Sequence, residues 1–291
     1  MTRPFEFALV SEGEQSPAEW RGLLRQAEDL GYGGVFVTDH CGQALSPVAA
    51  LSAAAATTDT LRVGTFVLNV DLRNHALLAH ELATLQLLSG GRTVAGLGAG
   101  WLDADYQHTG IARRAGHARL AGLRAAVARL REDLADRGVP QPTILLGGAR
   151  RRMLEYAAAE ADIVSVMSTI DGQGAEGYRD MLPGRTDTKV GWVRSAVPAG
   201  RARPVLNHVV WECFVTPRPA ATVQALAGGL GCTVEEVGEL AGFLVGTARE
   251  VADVLLRRRE RWGFSLVTVP SRAIRSFAPV VELLCGPEGR A

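Results

Sequence analysis

The sequence predicts an α/β protein built as a (β/α)8, or TIM, barrel with insertions after its sixth and seventh strands. Three observations carry this prediction: the length of 291 residues, the 47% share of hydrophobic residues, and an alternation of short β-rich runs with longer amphipathic segments. A chain of this length has room for one large domain with a substantial core, and α/β barrels commonly fill it alone. We therefore expect a single domain over residues 1–291.

Eight runs rich in β-branched and aromatic residues are predicted as strands. In chain order they are Phe5–Val10, Gly34–Thr38, Leu61–Leu68, Thr93–Leu97, Thr143–Leu146, Asp162–Met167, Asn207–Val215 and Phe264–Val269. The segments predicted as helices are Pro17–Leu30, Ser46–Thr58, Ala76–Leu88, Arg113–Arg137, Arg150–Glu160 and Thr247–Arg261. Strands that alternate with helices in this way predict a parallel sheet closed into a barrel.

The first predicted helix has clear start and stop signals. Ser16 is a suitable cap with Glu19 three residues later, and Gly31 follows the last turn. Two segments fit the repeat poorly: Ser168–Thr186 is rich in glycine and polar residues, and Pro217–Gly246 has room for one or two extra helices. Because both follow strands, we expect them over the catalytic face of the barrel.

The charge balance and hydropathy disfavour two classes of partner. The chain has 31 basic and 31 acidic residues, so its net charge gives no general reason to expect nucleic acid or an anionic membrane. No apolar run approaches the roughly 18 residues of a membrane span. The start also lacks the apolar core of a signal peptide. We therefore expect a cytoplasmic protein that binds neither nucleic acid nor membrane.

Cysteine, histidine and lysine patterns argue against other kinds of site. The cysteines have no CxxC spacing, which disfavours a disulfide framework or a zinc knuckle and predicts reduced thiols. The histidines show no HxH or HExxH spacing, so no metal site is predicted. Lys189 is the only lysine and lies in a polar, turn-rich stretch, which argues against Schiff-base and Walker-type chemistry.

The most informative segment is the fourth predicted strand, which runs into Gly96-Leu97-Gly98-Ala99-Gly100-Trp101. Glycine has no Cβ, so it lets a flat or charged ligand approach the backbone, and this strand is predicted to end at a ligand. A dinucleotide fingerprint reads similarly, but it belongs to a first strand that feeds directly into a helix. Here three strands precede it, and Trp101–Tyr106 does not begin an obvious amphipathic helix, so that interpretation is disfavoured.

Asp39 and His40 follow the second predicted strand, where active-site residues of barrels stand. Histidine titrates near neutral pH and passes protons, while a nearby carboxylate can fix its tautomer. His40 is therefore the candidate catalytic residue; the alternative is a structural histidine bonded to a loop carbonyl. Adjacent strand residues point to opposite faces, so the pattern does not establish a bond between Asp39 and His40. Cys41 is favoured as a small apolar filler over a nucleophile.

Two further strand ends carry candidate binding residues. Asn69, Val70 and Asp71 suit polar contacts with a heterocycle, or equally a polar turn before the next helix. After the fifth strand, Gly147 and Gly148 lead into a helix that begins near Ala149.

Free N–H groups and the helix dipole favour an anion at that helix start. The arginines that follow at once are Arg150, Arg151 and Arg152. The alternative is a helix start that is merely solvated. Trp101 and Trp211 lie at or near strand ends, where they are suited to stack on a flat cofactor or to fill core.

Taken together, these segments resemble the luciferase-like flavin and deazaflavin oxidoreductases, which include the coenzyme F420-dependent reductases and dehydrogenases. The matching segments are Ala27–Tyr32, Asp39-His40, Leu61–Thr65, Leu88–Arg92, Gly96–Trp101, Leu145–Gly148, Ala161–Ile163 and Val245–Ala248. Each is weak alone, but their order and spacing are specific. Asp39-His40 and the Leu-Ser-Gly-Gly-Arg run resemble the deazaflavin branch in particular.

The resemblance implies a barrel whose strand ends hold F420 or, alternatively, FMN. The segment matching Gly147-Gly148 would hold the cofactor phosphate, with Ala149 and Arg150 beside it. The turn matching Gly98-Ala99-Gly100 would lie against the ring system. The bend matching Asn69-Val70 would support the other face of the ring, often through a non-proline cis peptide.

The implied activity is hydride transfer between deazaflavin C5 and a substrate carbon, with reduction of an activated C=C, C=N or C=O bond or the reverse. His40 would donate a proton or orient the ring. The alternatives are an FMN-dependent monooxygenase and a non-catalytic flavin-binding protein. The family generally associates through barrel helices, so a homodimer is expected, with the alanine-rich segment Ala49–Ala56 suited to close packing.

The sequence departs from the resemblance at two places. Sugar-phosphate dehydrogenases of the branch have a glutamate where this chain has Trp101, which puts that substrate in doubt. The stretch Leu102–Pro140 is also shorter than usual. We therefore expect an open substrate mouth that admits a small molecule or a peptide.

Overall fold

A computed structural model describes residues 3–169 and 178–286. Its strands are β1 (Glu6–Ser11), β2 (Gly34–Val37), β3 (Arg62–Thr65), β4 (Leu68–Asn69), β5 (Thr93–Gly98), β6 (Thr143–Gly148), β7 (Ile163–Val166), β8 (Val205–Val209), β9 (Glu212–Val215), β10 (Phe243–Gly246) and β11 (Phe264–Pro270). Its α-helices are α1 (Pro17–Asp29), α2 (Pro47–Thr57), α3 (His75–Leu88), α4 (Asp103–Thr109), α5 (Gly116–Asp136), α6 (Arg151–Glu160), α7 (Pro183–Ala196), α8 (Pro219–Leu230), α9 (Val234–Glu239), α10 (Ala248–Trp262) and α11 (Ile274–Cys285). Short 3-10 turns lie at Val70–Leu72, Arg179–Met181 and Ser271–Ala273.

The strand order confirms the predicted (β/α)8 fold class. The main sheet has the order β3-β2-β1-β11-β8-β7-β6-β5-β4, and β3 also pairs with β5, so the order returns on itself. The pairings with a defined register in this sheet are parallel, for example Val35 opposite Val63 and Ala95 opposite Ile144. Parallel strands connected through helices are what the alternating pattern of the sequence predicts.

The chain divides by its internal contacts into two compact units. The first comprises residues 10–29 and 33–147. Within it β2 and β5 are buried at every position, as expected of parallel strands covered on both faces. On its outer layer α3 packs against α2 and α5.

The second unit comprises residues 1–9, 30–32 and 148–291, of which the structure describes 3–9, 30–32, 148–169 and 178–286. Its core carries a small polar network, in which Ser165 donates to Asn207 Oδ1 at 2.6 Å and Asn207 donates to Thr268 Oγ1 at 3.2 Å. Arg258 of α10 is buried and donates to the carbonyls of Leu240 at 2.9 Å and Ala241 at 3.0 Å. Those bonds tie α10 to the segment before β10.

Two predicted strands are each split in the structure. The predicted run Leu61–Leu68 becomes β3 and β4, separated by a cis peptide bond between Phe66 and Val67. The predicted run Asn207–Val215 becomes the end of β8 and the separate β9, which pairs with β10 in a two-stranded sheet. Continuous apolar runs hide such breaks, because hydrophobicity does not report where backbone pairing changes partner.

Other differences concern segments that carry weak periodicity. The segment 217–246 holds α8 and α9, as expected, and also β10, which was not predicted. Helices α7 and α11 were not predicted either. Part of the predicted polar segment 168–186 lies outside the described residues.

Lys189 was wrongly placed in a turn-rich stretch; it lies in α7 and its side chain is buried. Its ammonium donates to Met167 O at 3.0 Å, Asp180 O at 3.0 Å and Asp180 Oδ2 at 2.6 Å. An ammonium has three donors, so these acceptors satisfy it fully and fix the chain that follows β7. Bonding to Lys189 and Thr169 outweighs burial and lowers the pKa of the Asp180 carboxyl. No helix among the described residues is both long and apolar enough to cross a bilayer.

Candidate active site

His40 follows β2 and bonds a carboxylate that the sequence did not identify. Its Nδ1 lies 2.9 Å from Oδ2 of Asp105, whose side chain is 6% exposed. Oδ1 of the same carboxylate accepts the backbone N–H of Cys41 at 3.1 Å. A carboxylate can only accept, so His40 carries its proton on Nδ1, and Nε2 is the nitrogen left for a reacting group. No described residue bonds that Nε2.

Asp105 reaches His40 because the segment after the glycine-rich turn is helical. We expected no obvious helix at Trp101–Tyr106, and this was wrong, since α4 spans Asp103–Thr109. Two acids in its first turn and Gly110 in the left-handed region at its end are ordinary helix signals. The helix has only 7 residues, too few for a hydrophobic period to show in the sequence.

Asp39 forms no hydrogen bond with His40 and instead holds the bend after β4. Its two carboxylate oxygens accept both terminal nitrogens of Arg73, and Oδ2 also accepts the backbone N–H of Asn69 at 2.8 Å. Arg73 further donates to Asn69 O at 3.1 Å. Both oxygens of Asp39 are therefore used by the chain itself. Its geometry is that of a residue that positions Asn69.

Cys41 has the character of a filler. Burial, with added repulsion from Asp105 and Asp39, raises the pKa of its thiol. A nucleophilic cysteine needs a lowered pKa and a neighbouring cation. The interpretation of Cys41 as a small apolar residue therefore agrees with its surroundings.

The glycines at the end of β5 are required by the chain's own packing. A Cβ on Gly96 would collide with the carbonyl oxygen of Thr65, and one on Gly98 would lie 2.5 Å from Val67. Gly100 has a φ of +75°, where side chains are disfavoured, and a Cβ there would lie 2.5 Å from the Asn69 amide. The close approach of residues 65–69 and Tyr106 is therefore enough to require glycine at these positions, and contact of this turn with a cofactor stays a prediction.

The cis bond in that segment is Phe66–Val67, so the expected position at Asn69–Val70 was wrong by three residues. Asn69 instead ends β4 and caps the following 3-10 turn, in which its Oδ1 accepts the N–H of Asp71 at 3.0 Å. Val70 is fully buried.

A polar cluster surrounds Gly100 and contains buried groups without a well-formed hydrogen bond. Asn69 is 5% exposed and Tyr106 is 4% exposed, yet neither Nδ2 of Asn69 nor the Tyr106 hydroxyl has a hydrogen-bond partner of good geometry among the described residues. Asp71 beside them is held by Arg114, whose Nε donates to Oδ1 at 2.6 Å. Burial raises the pKa of Tyr106, so its hydroxyl stays protonated and able to donate. The Tyr106 hydroxyl interacts with the side chains of Asn69 and Asp71, so the three form one buried polar cluster around Gly100.

Trp101 is the exposed aromatic at this end of β5. Its side chain is 65% exposed, and its ring meets His40 edge to face with centroids 5.9 Å apart. The carbonyl of Ala99, two residues before Trp101, accepts a hydrogen bond from Nε of Arg119 at 3.2 Å. A large apolar side chain left in solvent beside a histidine is suited to contact a flat ligand.

The turn from β6 into α6 has the features of an anion site. Helix α6 begins at Arg151, one to two residues later than expected, after an N-cap at Arg150 that makes no side-chain cap bond. It has no acid in its first turn. Helices α2, α4, α5, α7, α8 and α11 also lack a side-chain cap, whereas α3, α9 and α10 are capped by Asn74, Thr233 and Thr247.

The uncapped start of α6 leaves its first N–H groups for a ligand. Gly147 and Gly148 end β6, with Ala149 between them and the N-cap. A Cβ on Gly148 would collide with Met153, so that glycine is required by local packing. Arg151 and Arg152 are both exposed, and Arg151 forms an ion pair with Glu155 at 2.7 Å. Among residues 3–169 and 178–286, no group of three or more acidic, histidine or cysteine side chains is arranged to hold a metal ion.

The comparisons with known proteins agree with this fold. Among curated proteins, the chain is 26% identical over 211 residues to a 5,10-methylenetetrahydromethanopterin reductase of Methanolobus tindarius, covering 69% of this chain and 62% of the relative. It is 35% identical over 127 residues to an F420-dependent glucose-6-phosphate dehydrogenase of Beutenbergia cavernae, covering 41% of this chain and 38% of that one. The matches thus span less than two thirds of either relative.

Among solved structures, an F420-dependent secondary alcohol dehydrogenase in complex with an F420-acetone adduct has a TM-score of 0.77 at 16% identity, with 97% of this chain and 98% of that chain covered. The F420-dependent tetrahydromethanopterin reductase of Methanopyrus kandleri has a TM-score of 0.70 at 17% identity, with 96% and 97% covered. At these identities the likeness is one of fold. The sequence model of the luciferase-like monooxygenases matches residues 1–184, more than half of the chain, and the protein therefore belongs to the luciferase-like monooxygenase family.

Proposed function

We propose that this protein is a coenzyme F420-dependent oxidoreductase that moves a hydride between C5 of the deazaflavin and a carbon of an organic substrate. The reaction is reduction of an activated C=C, C=N or C=O bond, or its reverse. Relatives and structural neighbours whose names state F420 dependence support this proposal. The cofactor supplies the hydride chemistry, and the protein supplies binding, orientation and protons.

The observation that carries the proposal is the bond between His40 and Asp105 after β2 and β5. Asp105 fixes Nδ1 of His40 as a donor, so Nε2 of the neutral ring accepts the proton when a substrate is oxidised, and the imidazolium donates it from Nε2 when a substrate is reduced. The Trp101 ring lies beside the His40 imidazole, with the ring centroids 5.9 Å apart. His40 is thus the catalytic residue of the proposal, and Asp105 is its positioning residue.

The cofactor-binding residues of the proposal fall into two groups. The first lies at the ring system: Ala99, Gly100 and Trp101 contact the ring, and the buried Asn69, Val70 and Gly98 support them from behind, with Asp39 acting through Asn69. The second group holds the phosphate and consists of Gly147, Gly148, Ala149 and Arg150. The uncapped start of α6 supports that assignment.

The proposed substrate is a small organic molecule, which includes peptides and other natural products. Trp101, which is 65% exposed, supports an open aromatic contact surface beside His40. Replacement Trp101→Ala is expected to raise KM more than it lowers kcat, because the ring contributes binding that is equal in ground and transition states.

The assembly of the proposal is a homodimer formed through α2 and α3 of the first unit. Three large hydrophobic side chains of α3 are exposed, namely Leu77 at 65%, Leu87 at 62% and Leu88 at 58%. The neighbouring α2 exposes Ala49, Ala53 and Ala56. Light scattering should give twice the chain mass, and the variant L77E/L88E should give the mass of a single chain.

The experiment for the cofactor is a titration of the purified protein with F420 and, separately, FMN, followed by fluorescence. We expect tight F420 binding and weak FMN binding, with His40→Ala retaining F420 binding but losing turnover in a screen of unsaturated substrates. Preference for FMN together with oxygen uptake would replace the proposal with a monooxygenase. A cofactor that binds without turnover of any substrate would replace it with a non-catalytic flavin-binding protein.

A further inference from the structure

The second unit has an open pocket beside the amino-terminal ends of β8 and β11. Its volume is about 180 Å³. Four arginines line it together with an apolar floor that includes the buried Val193 and Trp262. The four are Arg3, Arg194, Arg203 and Arg259, and we call this site the arginine pocket.

None of the four guanidinium groups forms an ion pair with a described residue. Arg3 donates to the carbonyl of Arg203 at 2.7 Å, and Arg194 donates to the carbonyl of Arg261 at 3.4 Å. Arg259 lies 4.2 Å from the centroid of the Phe5 ring. The Arg203 side chain has no partner in the described part of the chain.

No acidic residue of the described chain lines the pocket, and Asp187, which interacts electrostatically with Arg194, is bonded to other groups. Asp187 accepts Arg261 at 2.9 and 2.6 Å and the indole N–H of Trp262 at 2.7 Å. These bonds lower the pKa of the Asp187 carboxyl. Asp187 therefore neutralises Arg261, and the four arginines of the pocket have no carboxylate partner among the described residues.

Helix ends explain only two of these arginines. Arg194 stands in the last turn of α7 and Arg259 in the last turn of α10, where the helix dipole favours a cation. Arg3 and Arg203 lie outside any helix, so the dipole does not account for them. Like charges held together repel, and a bound anion would relieve that repulsion.

We propose that the arginine pocket binds a small organic phosphate monoester, with the phosphate among the arginines and the apolar part on the floor. A guanidinium group can donate two parallel hydrogen bonds to the oxygens of a phosphate, a bidentate geometry. The volume lies below the roughly 300–1,000 Å³ of pockets for drug-sized ligands. With a net charge of zero, the chain lacks the general basic surface that nucleic acid requires.

The test is calorimetry with phenyl phosphate, inorganic phosphate and benzoate on the wild type and on R194A/R203A. We expect phenyl phosphate to bind one site more tightly than either probe that lacks the ring or the phosphate. The double variant should weaken that binding at least about tenfold, a loss of roughly 1.4 kcal/mol. The matched control is Arg25→Ala, an exposed arginine of α1 outside the pocket, which should leave binding unchanged.

Several results would overturn the proposal: no saturable binding at millimolar concentration, equal binding of inorganic and phenyl phosphate, or equal losses in Arg25→Ala and R194A/R203A. Tight binding of a single-stranded oligonucleotide that the double variant abolishes would assign the site to nucleic acid instead. Circular dichroism of each variant checks that the fold is kept. Because the pocket contains none of the residues proposed for F420, either proposal can fail without the other.

Discussion

Charged groups are paired with opposite charges around His40 but not in the arginine pocket. Near His40, Arg73 is paired with Asp39, and Asp105 holds the imidazole. In the arginine pocket, four cations have no carboxylate partner among the described residues. Paired charges in this protein therefore fix geometry, whereas the unpaired arginines at the open pocket remain available to bind an anion.

The largest expected effect comes from removing a fully satisfied cation. Lys189→Met would leave Asp180, which is only 14% exposed, with the exposed Arg185 at 3.4 Å as its remaining cation. We expect a loss of about 3 kcal/mol in the free energy of unfolding, as for other broken buried pairs. Arg203→Ala should change it by less than about 0.5 kcal/mol, since its side chain has no partner to lose. Urea denaturation of both variants measures the contrast, and equal losses would remove it.

The Asp39 ion pair predicts a slightly smaller effect. Asp39→Ala removes both oxygens that hold Arg73 and the N–H of Asn69. We expect a loss of about 2 kcal/mol, below a fully buried pair because Arg73 is 24% exposed. The control Asp103→Ala breaks the exposed pair with Arg113 and should cost under about 1 kcal/mol. If thermal denaturation gives the same loss for both, Asp39 does not fix the bend.

The smallest expected difference in stability is between two glycine-to-alanine variants, and it distinguishes the cost of close packing from the cost of backbone strain. Gly100 and Gly110 both have positive φ, at +75° and +70°, but only Gly100 has atoms within reach of an added Cβ. Gly110→Ala should cost about 1 kcal/mol from the backbone alone, and Gly100→Ala about 1 kcal/mol more. Equal costs in calorimetry would show that Asn69 and Tyr106 adjust freely around that position.

Periodicity and turn residues in the sequence predicted the fold, but not every residue of the site. The barrel strands followed from apolar runs and glycine punctuation, whereas the break at Phe66–Val67 has no sequence signal that we could identify. His40 stood out because it is a titratable residue at a strand end. Asp105 was missed because its bond to His40 spans 65 residues and depends on a helix too short to show periodicity.

The glycines of β5 show how one sequence pattern can have two physical causes. We read Gly98 and Gly100 as room for a ligand, yet the space beside them is filled by Val67, Asn69 and Tyr106. A glycine indicates that some group lies close to the backbone, but the sequence does not say whether that group is a ligand or another part of the chain. The arginine pocket was missed for the related reason that its arginines are far apart in the sequence.

Asp105 determines which nitrogen of neutral His40 carries the proton. Long-range proton–nitrogen NMR on protein labelled with ¹⁵N-histidine reads the tautomer of each imidazole, and His40→Gln assigns the signal. We predict that neutral His40 carries its proton on Nδ1 in the wild type and shifts toward Nε2 in Asp105→Asn, whose amide can donate to Nδ1. The same tautomer in both proteins would contradict the claim.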